Sequence, residues 1–293
     1  MNAQFETWVV AAAAVGIFGI LIGSFANVVI YRVPAGVSIA TPPSACPHCG
    51  NRIKPYDNIP VISWLLLGGK CRTCAEPISK RYPLVELTTG VAFAAVAAWW
   101  LVQGGAWTGP AESLRPQASD PLTAAIVGIL VLIAFLYLAA ISVILAIIDL
   151  DTHTLPNRIV LPSYLVVIVF FVAAAAVGGD WPALLRAGSG LVGLWLIYAI
   201  LAFAYPGGMG FGDVKLAGVL GAYLGWLGWG SLLVGAFAAF LLGGLFALAL
   251  VASRRANRKS GIPFGPWMLL GAWVGIFLGE PIWRGYLATF GLA

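Results

Sequence analysis

Long apolar runs separated by short polar segments dominate the pattern along the chain. Eight runs stand out, at residues 7–31, 83–103, 123–148, 158–179, 188–205, 212–229, 231–252 and 264–280. Their lengths are those an α-helix needs to cross the hydrocarbon core of a bilayer. The pattern therefore predicts an all-α polytopic membrane protein with about eight transmembrane helices. The sixth and seventh runs are nearly continuous, and residues 228–230 are the predicted turn between them.

The composition agrees with this class. Of 293 residues, 61% are hydrophobic and only 9% are charged, which excludes an ordinary soluble globular protein. The first run follows a start that carries Glu6 and no Lys or Arg. A secretory signal has a basic start and a shorter apolar core, so we expect an uncleaved first helix.

The basic residues are distributed unequally between the two sides of the predicted membrane. If the N-terminus is outside, one set of loops holds 13 of them: Arg32, Arg52, Lys54, Lys70, Arg72, Lys80, Arg81, Arg158, Lys215, Arg254, Arg255, Arg258 and Lys259. The other set holds 3: Arg115, Arg186 and Arg284. The positive-inside rule predicts that the first set is cytoplasmic. The net charge of +5 is thereby explained by membrane orientation, and no nucleic-acid partner is expected.

Two hydrophilic segments are longer than the short loops that connect the other runs. The cytoplasmic insertion at residues 32–82 contains all four cysteines, and the outward segment 104–122, rich in Gly, Pro and Ser, is predicted to be irregular. We accordingly predict three parts: a first helix at 1–31, a small zinc-binding domain at 32–82 and a membrane-embedded bundle at 83–293. No internal repeat indicates a transporter built from inverted halves.

The cysteines form two CxxC pairs, Cys46-Pro47-His48-Cys49 and Cys71-Arg72-Thr73-Cys74, with 21 residues between them. Each pair can chelate from a tight turn, and together they supply four thiolates for a tetrahedral Zn²⁺. Disulfides are the alternative, but the predicted cytoplasmic side is reducing. Four protein ligands leave no open position, so the metal is expected to be structural. His48 is expected to orient a thiolate or face solvent.

Three acids lie at the ends of apolar runs on the same predicted membrane face. Asp149 and Asp151 follow the third run, and Asp213 begins the sixth, after several glycines. Charge in such places is costly and usually functional. Residues two apart on a helix point to different faces, so Asp149 and Asp151 do not converge, and Asp213 is the better partner for Asp149.

Two carboxylates held close in a poorly solvated site cannot both ionise comfortably. One then serves as acid while the other activates water, as in aspartyl proteases. Simpler explanations stay open at this point. Asp149 can be a solvated helix end, Asp213 can complement a helix dipole, and Asp149, Asp151 and His153 can ligate a metal. A proton-coupled transporter or channel and a zinc-stabilised scaffold are the competing functional classes.

Several motifs resemble those of the bacterial type IV prepilin peptidases, a family of GxGD aspartyl proteases that also methylate the N-terminus of the cleaved product. The similar stretches are 23–32 (GSFANVVIYR), the cysteine-bearing segment from Cys46 to Glu86, and 262–266 (IPFGP). The first catalytic aspartate of the family stands seven residues before the proline of a Leu-Pro-Asp or Leu-Pro-Asn element, which is the position of Asp149 before Pro156. The second belongs to Gly-x-Gly-Asp and is Asp213. Asn157 stands where many relatives have Asp, and no loss of activity is expected from it.

The resemblance implies a function. The substrates would be precursors of type IV pilins and type II secretion pseudopilins, cleaved after the Gly of a short basic leader at the cytoplasmic membrane face. It also implies methylation of the new N-terminus with S-adenosylmethionine. No methyltransferase-like strand–glycine loop–helix unit is present, so the cofactor is expected to bind in another way, with Glu86 and Gly90 as candidates for the methyl-transfer site. Glu86 can equally be a helix-start charge.

Overall fold

The apolar runs form long helices in the structure, a computed structural model that describes residues 3–104, 120–205, 208–253 and 262–292. The helices are α1 (Ala3–Arg32), the short α2 (Ile62–Leu66), α3 (Arg81–Gly104), α4 (Pro121–Thr152), α5 (Asn157–Gly178), α6 (Trp181–Ala204), α7 (Phe211–Leu227), α8 (Trp229–Ala252) and α9 (Gly265–Ala288). A 3₁₀ turn covers Pro55–Asp57. Within the described ranges the structure contains isolated β-bridges and no sheet.

The all-α class is thereby confirmed. Six of the helices are long and apolar enough to cross a membrane, namely α1, α3, α4, α5, α6 and α8. With 17 residues, α7 is shorter than these six, and α9 is not among them either. The chain is a membrane protein, while the number of eight spans stays a prediction. Of the predicted irregular segment 104–122, residues 105–119 lie outside the described residues, while Gly104 ends α3 and Pro121 begins α4. The basic residues Arg115, Arg254, Arg255, Arg258 and Lys259 also lie outside them.

Helix ends differ from the predicted ones where capping residues extend a helix beyond its apolar run. The fifth apolar run shows this at its start: α6 begins at Trp181, seven residues before the predicted 188. Asp180 caps it, since its Oδ1 accepts the N–H of Ala183 at 3.0 Å. Pro182 in the first turn is the matching start signal. At the other predicted boundary, Gly228 separates α7 from α8 with a φ of 153°, as the turn signal predicted.

The helices fall into two compact units. The first comprises Met1–Leu101 with Leu136–Ile144, and the second comprises Val102–Phe135 with Leu145–Ala293. Within the first, α1 and α3 approach closely through small residues, as membrane helices do. A Cβ on Gly23 would lie 2.6 Å from the Cα of Glu86.

Within the second unit, α7 is the central helix. Its residues from Asp213 onward are almost all buried, because α5, α6, α8 and α9 pack around it. The ring of Tyr223 meets Phe135 and Phe171 edge-on at 5.2 and 5.3 Å, and its hydroxyl donates to the Ala134 carbonyl at 2.9 Å. The first turn of this enclosed helix carries Asp213.

Candidate active site

Asp149 is buried in the last turn of α4, with 4% of the residue exposed. Its Oδ2 accepts the backbone N–H of Gly265 at 3.0 Å, across 116 residues of sequence. A Cβ on Gly265 would lie 2.7 Å from that same oxygen. The approach therefore requires glycine, which gives a structural role to the motif at 262–266. Sequence reasoning matched this motif and assigned no function to Gly265.

Asp213 is held differently, by its own helix. It is the third residue of α7, 9% exposed, and its Oδ2 accepts the N–H of Gly210 at 3.1 Å. The N–H of Asp213 in turn donates to the Gly210 carbonyl at 3.0 Å. This reciprocal pair resembles a capping box, so one carboxylate oxygen of Asp213 is committed to starting α7.

Leu155 lies next to both Gly212 and Gly265, the glycines that neighbour Asp213 and Asp149. A Cβ on Gly212, the residue before Asp213, would lie 3.0 Å from the Cβ of Leu155. A Cβ on Gly265, which binds Asp149, would lie 3.3 Å from Cδ2 of the same leucine. The structure thus brings Asp149 and Asp213 into one buried neighbourhood.

Asp151 does not join them. It is exposed near the end of α4, as expected for a residue two positions from Asp149 on a helix. His153 is also exposed and terminates α4 in the left-handed conformation, with a φ of 53°. Among the residues that the structure describes, the only His/Cys/Asp/Glu group close enough to hold a metal is the cysteine cluster. The alternative of a metal bound by Asp149, Asp151 and His153 is therefore not supported.

Hydrogen bonds tie the start of α5 to the start of α7 beside the aspartates. The Nζ of Lys215 donates to Oδ1 of Asn157 at 2.9 Å and lies 5.2 Å from the Phe211 ring. The Tyr164 hydroxyl donates to the Lys215 carbonyl at 2.5 Å. Pro156 stands at the N-cap of α5, consistent with the predicted helix start. Asn157 thus orders the segment between Asp149 and α5.

The four cysteines converge in the first unit, on two turns of the same design. In each turn the N–H of the residue after the second cysteine, Gly50 or Ala75, donates to the carbonyl of the first cysteine at 2.9 Å. Both of these residues have positive φ, 69° and 60°. An antiparallel bridge closes each turn, Ala45 with Arg52 and Lys70 with Pro77. The repeated geometry is that of a metal-binding knuckle.

The donor set fits a tetrahedral metal. All four Sγ atoms lie within 4.8 Å of one another, and those of Cys46 and Cys74 are 3.8 Å apart. Thiolates bound at about 2.3 Å to a tetrahedral zinc lie about 3.8 Å from each other. The cysteines are free thiols rather than disulfides, and the four could hold a metal ion.

Electrostatics in the cluster favour a bound cation. The backbone N–H groups of Cys74 and Thr73 lower the pKa of Cys71 to about 6, which favours its thiolate form. The N–H of Glu76 also favours the Cys74 thiolate, but desolvation and the neighbouring sulfur atoms outweigh it and raise the pKa of Cys74 to about 12. Four crowded thiols cannot all ionise without a cation, and a divalent metal removes that conflict. The His48 ring contacts Glu76, with its Nε2 at 3.5 Å from Oε1, and is not one of the four clustered ligands.

Glu86 and Gly90 lie on α3 in the first unit. Glu86 is buried, and its Oε2 accepts the N–H of Val61 at 2.7 Å. Gly90 packs against α1, since a Cβ there would lie 2.5 Å from Cγ1 of Ile20. Both residues have structural contacts of their own, and their assignment to methyl transfer stays a prediction.

Comparison with known proteins decides the family. Residues 17–100 match the bacterial peptidase A24 N-terminal domain, and residues 136–248 match the type IV leader peptidase family. A protein of Aeromonas hydrophila named prepilin leader peptidase/N-methyltransferase is 34% identical, over 94% of this chain and 93% of its own length. The chain belongs to the type IV leader peptidase family.

Other members of the family agree. Proteins of Pseudomonas aeruginosa and Neisseria gonorrhoeae with the same name are each 33% identical over 94% of this chain and 93% of their own lengths. No solved structure matches the chain. The predicted family is confirmed. Asp149 and Asp213 lie in the segment matched to the leader peptidase family, the four cysteines lie in the N-terminal match, and Gly265 lies beyond both.

Proposed function

We propose that this chain is a membrane aspartyl endopeptidase that cleaves the leader from type IV prepilins and type II secretion pseudopilins. The observation that carries the proposal is a pair of buried carboxylates, Asp149 and Asp213, delivered by two helices far apart in sequence. In each, a glycine N–H holds Oδ2. Both acids lie in the terminal turn of a helix, whereas a proton-coupled transporter would place its acids near the middle of the bilayer.

The chemistry follows from two carboxylates that share one proton. The ionised aspartate takes a proton from water while the oxygen of that water attacks the carbonyl carbon of the leader glycine. The protonated aspartate donates its proton to the carbonyl oxygen. The tetrahedral diol then collapses: the aspartate that took the proton from water gives it to the amide nitrogen, the other aspartate takes a proton from a diol hydroxyl, and the C–N bond breaks. The products are a carboxylate and a free amine, without a covalent intermediate.

The hydrogen bonds from Gly265 and Gly210 give the two oxygens of each carboxylate different roles. Because Oδ2 of Asp149 and of Asp213 is occupied by a backbone N–H, we assign the other oxygen of each to water and the scissile carbonyl. Holding one oxygen in place orients the other before substrate arrives, which reduces the entropy lost in the reaction.

The predicted orientation agrees with this substrate. Thirteen of the sixteen basic residues fall on one predicted side of the membrane, which is then cytoplasmic in a bacterial inner membrane, with the N-terminus outside. Asp149 and Asp213 lie at that side. A pilin precursor whose apolar helix rests in the lipid would present its leader there.

We further propose a structural zinc and a methyl-transfer activity. Cys46, Cys49, Cys71 and Cys74 would hold the zinc, and four ligands leave it no open position for catalysis. The relatives are named N-methyltransferases as well as peptidases. S-adenosylmethionine would supply the methyl group for the new N-terminal amine. Glu86 and Gly90 are the candidates for that site, with Glu86 able to stabilise an ammonium.

Incubation of the purified protein with a pilin precursor, followed by mass spectrometry, tests the peptidase. Asp149→Asn and Asp213→Asn should each lower the cleavage rate by at least about 100-fold, the typical contribution of a general acid or base. Asp151→Asn is the matched control on the same helix and should cleave normally. Retained cleavage by either of the first two variants would refute the pair. A labelled-methyl assay on cleaved pilin tests the second activity separately.

A further inference from the structure

The short helix α2 presents an exposed apolar face. Ile62, Leu65 and Leu66 are 54%, 63% and 81% exposed, and the preceding Ile59 is 45% exposed. Positions 62, 65 and 66 have the i, i+3, i+4 spacing that places side chains on one side of a helix. We call these four residues the α2 face. Such a cluster in a polar, cysteine-bearing segment indicates a partner.

Hydrogen bonds hold the opposite side of α2 against the rest of its segment. The α2 face is therefore left on the outside. The Ser63 hydroxyl donates to the Tyr56 carbonyl at 2.9 Å and accepts the N–H of Ile59 at 3.1 Å. The indole N–H of Trp64 donates to the Ile78 carbonyl at 3.1 Å. Polar groups are satisfied on the inner side while leucines point outward.

A contact with α3 supports a position of the α2 face at the membrane boundary. The N–H of Val61, next to Ile62, donates to Oε2 of Glu86 at 2.7 Å. Glu86 is five residues into α3, which is long and apolar enough to span the membrane. At 1.5 Å per residue, Glu86 lies about 7 Å along the helix beyond Arg81. Amphipathic helices rest at about that depth, 5–10 Å into the boundary between headgroups and acyl chains.

The bond to Glu86 also makes physical sense at that depth. Val61 adopts a positive φ of 62°, so the chain turns sharply there and its N–H lies outside a helical ladder. Where water is scarce, such a group needs a partner from the protein. The buried Glu86 carboxylate provides it.

The charge around the α2 face suits an anionic surface. Between residues 52 and 81 the chain has six basic residues and two acids: Arg52, Lys54, Lys70, Arg72, Lys80 and Arg81 against Asp57 and Glu76. Basic residues next to a membrane helix are attracted to anionic headgroups. A purely apolar protein partner would not need this excess.

We propose that the α2 face docks into the headgroup–acyl boundary of an anionic bilayer and anchors the cysteine-bearing segment there. The alternatives are a second copy of the chain or the pilin precursor. The position beside α3 and the basic flanks favour lipid.

Photo-crosslinking of the full-length protein in lipid nanodiscs tests the proposal. The photoreactive residue p-benzoylphenylalanine replaces Leu66 in one protein and Asn51, an exposed residue of the first cysteine turn, in another. After illumination, mass spectrometry should show a lipid adduct at position 66 and about tenfold less at position 51, as expected when one large apolar side chain is buried in the boundary. Unchanged metal content of both proteins confirms that they are folded.

Varying the lipid composition and adding possible protein partners tests which molecule contacts the α2 face. Adducts at position 66 should increase when phosphatidylglycerol is added to phosphatidylcholine. An equal yield at positions 66 and 51 would overturn the proposal. So would a crosslinked dimer, or an adduct with added pilin precursor, in place of the lipid adduct.

A second probe keeps the test independent of one substitution. With the photoreactive residue at position 62, Leu66→Asp should reduce lipid adducts several-fold, because a carboxylate opposes burial beside anionic headgroups. Asn51→Asp makes a comparable change of charge outside the α2 face and should leave the yield unchanged. Equal yields in the two variants would contradict docking through this face.

Discussion

The cysteine cluster and the aspartate pair are built in opposite ways. The four cysteines come from 29 consecutive residues, on two short turns that each position two sulfur atoms through local hydrogen bonds. The two aspartates are 64 positions apart, and Asp149 depends on a backbone N–H from Gly265, 116 residues away. The first arrangement is a property of the local chain, while the second exists only when the helices of its unit pack.

This difference decides which changes each site should tolerate. A turn that positions its own ligands is sensitive to the ligands and to backbone conformation within the turn. A pair assembled across helices is sensitive to volume at the packing contacts, even at residues without reactive groups. Substitutions in each site test this difference.

The largest expected effect is loss of the metal from the cysteine cluster. Cys71→Ser should weaken metal binding by more than about 100-fold, since removal of a second-shell partner alone can cost that much. His48→Gln should leave the metal bound, because His48 contacts Glu76 and is not needed as a ligand. Metal analysis of the purified variants measures both. A loss of metal in His48→Gln as large as in Cys71→Ser would give His48 a ligand role.

The aspartate pair should be most sensitive at Gly265. Gly265→Ala places a Cβ 2.7 Å from Oδ2 of Asp149 and should lower the cleavage rate by about 100-fold, the cost of misplacing a catalytic group by about 1 Å. The metal content should not change.

Gly244→Ala is the matched control, because a Cβ at Gly244 meets nothing within 4 Å. Normal cleavage by Gly265→Ala would mean that the contact with Asp149 does not orient the carboxylate.

A smaller effect should distinguish the two cysteine turns. Gly50 and Ala75 occupy equivalent positions with positive φ, which costs a residue with a Cβ about 1 kcal/mol. A Cβ on Gly50 meets nothing within 4 Å, so Gly50→Ala should destabilise the metal-bound segment by about 1 kcal/mol through backbone strain alone. Ala75→Gly should be slightly stabilising, because glycine removes this strain. Chelator competition on both variants checks the opposite signs, and equal effects would contradict the equivalence of the turns.

The smallest effect is expected at Asn157. Asn157→Asp converts its bond with Lys215 into an exposed ion pair, which should add about 0.5 kcal/mol and leave cleavage normal. Thermal unfolding at low and high salt measures the gain, which should shrink as salt screens the pair. A large loss of activity would show that the carboxylate disturbs Asp149.

Much of this protein is determined by its sequence alone. Runs of apolar residues set the long helices because helix formation in lipid depends on length and local hydrophobicity. The CxxC spacing set the cysteine cluster because each turn is closed by residues a few positions apart. The resemblance to the type IV prepilin peptidases, through the spacing of Asp149 from Pro156 and the Gly-x-Gly-Asp motif at Asp213, singled out the two aspartates.

Only the tertiary structure decided how those residues are held. The contact of Gly265 with Asp149, the position of Leu155 between the two acidic segments, the burial of α7 and the bond from Val61 to Glu86 all join residues distant in sequence. The hydropathy pattern also failed to predict the start of α6, where Asp180 and Pro182 extend the helix beyond its apolar run. Periodicity and turn chemistry are local properties, whereas a buried contact depends on which helix faces meet, and that is settled only when the whole bundle packs.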